Sequence, residues 1–314
     1  MVKALATAGL ACVLCAAGLA AQASSSTRAS CERSSTGLIP LPDLKGSTYQ
    51  GFGGGLYPAD SNGPPASYRK QGTGYVARVK PRGSGGSPSA AGKIVLLSIG
   101  MSNTTQEFST FKELADTDPL KNPRVVVVDG AQGGQDAVKI KDPTARFWGR
   151  VDERLSAAGV TAKQVQVVWL KEAIARENRA FPADARGLQA DLRTIVEVLR
   201  RRYSNLSLVY VSSRTYGGYA TKPLNPEPYA YQSSFAVKWL IQDRIEGRLA
   251  GPWLAWGPYL WTDGTKGRND GLVWTCDDVR SDGTHPSENG QKKVADLLLR
   301  FFKSDSTTKS WFRR

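Results

Sequence analysis

The chain has 314 residues, 40% of them hydrophobic and 22% charged, which is enough apolar material for one large α/β domain or two small ones and excludes a disordered polar chain. Its net charge of +14 would suit anionic partners such as acidic glycans, wall polymers or lipid headgroups. That charge is spread out, however, and neither a zinc-finger spacing nor an aromatic-basic module is present, so a soluble basic surface is preferred over nucleic-acid binding.

Lys3, the apolar run Ala4–Ala20 and the Ala21-Gln22-Ala23 step follow the order of a cleavable export signal. The run is short for a membrane span and lacks a charged stop, so residues 1–23 are expected to be removed, leaving a secreted or periplasmic protein with no stable membrane anchor. Cys12 and Cys15 would leave with that segment. Cys31 and Cys276 remain, and in an oxidising compartment an even pair is most simply one disulfide, with two free thiols as the alternative.

Residues 24–92 read as an irregular N-terminal extension and linker. The stretch 36–80 is rich in Gly, Pro and Tyr, without a sustained helical period. Its Gly51-Phe-Gly-Gly-Gly-Leu56 run lacks the last glycine and the strand–turn–helix setting of a dinucleotide fingerprint. Arg82–Ser89 is a flexible connector.

From residue 93 to 304 the pattern changes to short apolar runs separated by amphipathic stretches. Strands are expected at 93–99, 124–128, 165–169, 206–211 and 253–256, with helices at 105–115, 147–158, 183–203, 233–247 and 287–302. In the third helix Leu188, Leu192, Ile195, Val196, Val198 and Leu199 form an apolar stripe. Such alternation predicts a flavodoxin-like three-layer α/β/α sandwich on a five-stranded parallel sheet. Residues 305–314 are expected as a basic tail. In this architecture ligands bind at the carboxyl ends of the strands, so the residues that follow each strand are the ones to inspect.

After the first strand comes Gly100-Met101-Ser102-Asn103, which puts Ser102 at a helix start where N–H groups favour negative charge. Capping is the ordinary role of a serine there. The second strand ends in Asp129-Gly-Ala-Gln-Gly-Gly-Gln135, and Gly133 offers an N–H to an oxyanion or simply makes the turn. His285 is the only histidine, which rules out a multi-His metal centre, and Asp282 lies three residues before it. A carboxylate on one ring nitrogen fixes the tautomer and leaves the other to accept a serine proton.

Together these blocks resemble the SGNH (GDSL-like) serine hydrolases over about residues 93–303, and the Gly-x-Ser-Asn form is most similar to their carbohydrate acetylesterase branch. The resemblance implies a triad of Ser102, Asp282 and His285, with Ser102 and Gly133 as oxyanion donors and no metal or organic cofactor. It further implies hydrolysis of O-acyl groups on a glycan through an acyl-serine. An O-acyltransferase and a non-catalytic glycan- or wall-binding protein are the alternatives. The pattern departs in the third block, where Lys171 stands at the place of the family's Asn. Its ammonium is a candidate third oxyanion donor, or else it pairs with Glu172 or another acid. On the loops after the fourth and fifth strands, Arg214 and Tyr216 are candidate substrate contacts, against the alternative that these side chains only pack the loops onto the core.

Overall fold

The computed structural model describes residues 1–2 and 30–314, so the export signal expected over 1–23 falls almost wholly outside the described residues. Five strands form the sheet: β1 (Ile94–Gly100), β2 (Val125–Asp129), β3 (Val165–Lys171), β4 (Leu208–Val211) and β5 (Trp253–Trp256). Every pairing is parallel and the spatial order is β2-β1-β3-β4-β5. Each residue of β1 and β3 is buried. These runs are apolar on both faces because helices cover both.

The flanking helices are α2 (Ser102–Thr117), α3 (Arg146–Ala157), α4 (Ala183–Arg202), α5 (Tyr229–Ile245) and α6 (Glu288–Ser304). α2 packs against α6, and α4 against α5. Arg202 at the end of α4 reaches Asp152 of α3 at 2.5 Å. The result is the expected three-layer sandwich. Its strand order reverses between β1 and β3, and in such sheets a crevice opens there at the carboxyl ends.

The N-terminal segment departs from its expected irregular character. Residues Ala66–Val76 form a helix, α1, that packs on the edge strand β5. Tyr68 stacks on Trp253 with ring centroids 5.4 Å apart, and a Cβ on Gly72 would stand 2.6 Å from the same indole. Glycine, a poor helix former, is therefore required by the contact, which is why the helix has no clear signature in sequence. Tyr68 Oη also donates to Leu254 O at 2.9 Å and accepts from Leu254 N at 3.2 Å. Trp256 N donates to Tyr57 Oη at 3.2 Å. The segment thus supplies partners to the open edge of β5, groups that would otherwise invite another strand.

It also covers α5. That helix is buried almost all round, and Tyr49 and Phe52 pack with Phe181, Phe235 and Trp239 over it. Cys31 and Cys276 are joined in a disulfide with Cα atoms 5.4 Å apart, beside the loop that carries Asp282. Nearby, the Asp263 carboxylate accepts from Thr36 N at 2.6 Å and Gly37 N at 2.9 Å. The last ten residues are packed instead of trailing as a basic tail: Trp311 and Phe312 are buried against Phe302. Among the described residues no helix is long and apolar enough to cross a membrane.

Candidate active site

Ser102 is the first residue of α2, directly beyond β1. The chain turns here within two residues because Gly100 lies against β3: a Cβ there would sit 2.4 Å from Lys171 O. Thr104 Oγ1 donates to that same carbonyl at 2.7 Å, fastening the first turn of α2 to the end of β3. The opening N–H groups of a helix have no intrahelical acceptor, so Ser102 N–H is left for a ligand. Gln132 N donates to Gly100 O at 2.9 Å, carrying the segment after β2 alongside β1. Gly133 is thereby brought beside the serine, close enough that a Cβ on it would stand 3.9 Å from Ser102 Cβ.

The loop before α6 supplies the other half. Gly283 has φ +66° and lies so close to Tyr219 O that a Cβ would overlap it at 1.7 Å. Only glycine fits that turn. Asp282 Oδ1 then accepts from Thr284 N at 3.0 Å and His285 N at 2.9 Å, and Oδ2 meets His285 Nδ1 at 2.5 Å. Nε2 of the same ring lies 2.9 Å from Ser102 Oγ. Burial alone would raise the Asp282 carboxyl. Hydrogen bonds from the His285 ring and from two backbone N–H groups outweigh it and hold the group below its ordinary value. An ionised Asp282 holds the proton of the imidazole on Nδ1, which leaves Nε2 as an acceptor facing the hydroxyl.

Asn103, to which sequence reasoning gave no separate task, closes the arrangement. Its Nδ2 donates to Thr284 O at 2.8 Å, tying the start of α2 to the His285 loop. Ser102, Gly133, Asp282 and His285 are thus brought together at one place. No group of three or more His, Cys, Asp or Glu side chains suited to a metal ion occurs among the described residues.

Lys171 is placed elsewhere. Its side chain is 1% exposed, and its Nζ donates to both carboxylate oxygens of Glu107, at 2.6 and 2.5 Å. The expectation of a third oxyanion donor is corrected: a buried ammonium needs a counter-charge, and Glu107, 64 residues away on α2, supplies it. Burial pulls the ammonium down to about 8 and pushes the Glu107 carboxyl up, each opposed by the other's charge. Arg214 is also corrected. It is 3% exposed, its Nε donates to Asn225 Oδ1 at 3.0 Å, and carboxyls of Glu107, Glu172, Glu177 and Glu227 surround it. Tyr216 is 3% exposed, with its hydroxyl on Arg33 O at 2.6 Å and its ring against Tyr219. Both belong to the packing beneath the site and neither lines the cleft.

The cleft that contains Ser102 and His285 has a volume of about 880 Å³. Its walls are Met101, Val138, Ile174 and Leu224, with Gly133 on one side and Lys139 and Arg176 also lining it. Apart from Met101, which follows β1, these side chains come from the segments after β2, β3 and β4, where sequence carried no signal beyond proximity to a strand end.

No family model matches this sequence, and no curated protein matches it. Among solved structures it is similar to a Bacillus subtilis protein at 13% identity and a TM-score of 0.40; the match covers 69% of this chain and spans 58% of that protein's length. It is also similar to a GDSL-like lipase from Bacteroides thetaiotaomicron, at 12% identity and TM-score 0.40, over 75% of this chain and 96% of the lipase. A third likeness is to the periplasmic domain of a lipopolysaccharide acetyltransferase from Salmonella ser. Paratyphi A, at 12% identity and TM-score 0.38, over 67% and 82% of the two chains.

Proposed function

We propose that this chain is an exported serine esterase of SGNH type. The observation that carries the reading is the unbroken run from Asp282 Oδ2 through His285 to Ser102 Oγ, with contacts of 2.5 and 2.9 Å. In this reading His285 Nε2 takes the Ser102 proton as Oγ attacks an ester carbonyl. The oxyanion is held by the N–H groups of Ser102 and Gly133, and the departing alcohol receives the proton back from His285. A water deprotonated at the same nitrogen then releases the acid and frees the serine. With Lys171 committed to Glu107, the oxyanion site rests on backbone donors. The narrower substrate, an O-acyl group on a glycan, is supported by the Gly100–Asn103 block and its resemblance to carbohydrate acetylesterases.

Release of para-nitrophenol from a simple ester, with mass spectrometry of the quenched protein, tests the proposal. An acyl adduct on Ser102 and a drop in kcat on the order of 10⁴-fold in Ser102→Ala support it. Unchanged turnover in that variant sinks it. Appearance of the acyl group on an added sugar, in place of free acid, would make the enzyme a transferase instead.

A further inference from the structure

We infer that the cleft selects acyl groups with a short apolar stem and a terminal negative charge, such as half-esters of dicarboxylic acids. The inference rests on the esterase reading above and concerns the same cleft. The direction of the acyl group follows from the chemistry. The carbonyl oxygen must face Gly133, and the departing oxygen must face His285 to be protonated, so the acyl substituent takes the remaining direction, which we assign to the apolar lining of Val138 and Ile174. Val138 is 45% exposed, one of few large apolar side chains left open among the described residues, and it lines this cleft. Apolar surface left open beside a reactive serine is suited to covering methylene groups.

Two exposed cations, Lys139 and Arg176, line the same cleft, each within two residues of these apolar side chains. Lys139 Nζ reaches only a backbone carbonyl, Gly134 O, at 2.5 Å, next to the proposed oxyanion site. Their neighbours in sequence are neutralised: Lys141 pairs with Asp191 at 2.6 Å and Arg179 with Asp184 at 2.6 Å. Among the described residues neither Lys139 nor Arg176 has a carboxylate partner. Of the acids at the cleft, Asp282 meets His285 and Asp136 accepts Ala175 N at 3.1 Å, and neither forms an ion pair with Lys139 or Arg176. The cleft thus combines apolar side chains with two cations that lack an ion-pair partner, contributed by two different strand-end segments.

The test compares para-nitrophenyl hemisuccinate with para-nitrophenyl butyrate, which have the same chain length and differ in the terminal carboxylate. Each kcat/KM is divided by that ester's hydroxide-catalysed rate. The wild-type ratio should favour the hemisuccinate. It should fall roughly tenfold in Lys139→Ala/Arg176→Ala, the product of two solvent-exposed charge contacts of about threefold each. Raising the salt from about 20 to about 500 mM should compress it similarly. Lys309→Ala, a surface change in the C-terminal turn, should leave the ratio as it is. A ratio that neither the double substitution nor salt alters overturns the inference while leaving the esterase intact. Failure of the wild type to cleave either ester overturns the esterase reading, and the inference falls with it.

Discussion

At the scale of residues, the half of the site carried by Asp282 and His285 was legible because it is local: a carboxylate and an imidazole three positions apart on one glycine-containing loop. Ser102 and Gly133 were legible because strand ends are where this architecture presents groups. Lys171 was not, since the sequence shows the lysine and hides its partner on another element. The pair is a replacement in kind: a buried ammonium with two carboxylate contacts at 2.6 and 2.5 Å, next to the carbonyl that anchors Thr104. Removing one member leaves a buried charge behind, whereas removing both restores neutrality. Lys171→Met is expected to cost about 3–5 kcal/mol in urea unfolding, and Glu107→Met/Lys171→Met distinctly less than that. A double variant as destabilised as the single one would show that the charges are not coupled.

At the scale of elements, the strands and their flanking helices were readable because each carries a continuous or periodic apolar pattern on its own. The N-terminal extension was not. α1 holds two glycines and buries little of its own length, so its helical state depends on a contact with β5 that sequence periodicity cannot express. Nor does the apolar girth of α5 reveal that Tyr49 and Phe52 lie across it. The extension's work at the sheet edge makes a measurable prediction. Tyr68→Phe keeps the ring on Trp253 and deletes the hydroxyl that serves both Leu254 N and Leu254 O. Two backbone groups of a fully buried residue lose their partner, and the expected loss is about 1–3 kcal/mol in denaturant unfolding. A change within about 0.5 kcal/mol, the usual effect of a neutral surface substitution, would mean that the edge is satisfied otherwise.

At the scale of the whole molecule, the layer order followed from sequence, but the buried acids beneath the site did not. Glu107, Glu172, Glu177 and Glu227 converge around Arg214 from three separate segments. Burial pushes Glu177 from 4.5 up to about 8 and Glu172 well above its ordinary value. A carboxyl with a raised folded value binds more protons folded than unfolded between the two values. Its contribution is therefore complete below the unfolded value and is lost as pH rises through the folded one. For Glu177 that window runs from 4.5 to about 8, and stability should decline across it. Glu177→Gln should flatten the fall in the urea midpoint over that range, while equal slopes in variant and wild type would contradict the assignment.

The central claim is that His285, held by Asp282, activates Ser102, and labelling by a fluorophosphonate probe addresses it most directly. The disulfide-intact protein should label stoichiometrically at Ser102, and His285→Ala, folded by circular dichroism, should lose nearly all labelling. Absence of labelling in the wild type, or equal labelling in the His285 variant, would contradict the account.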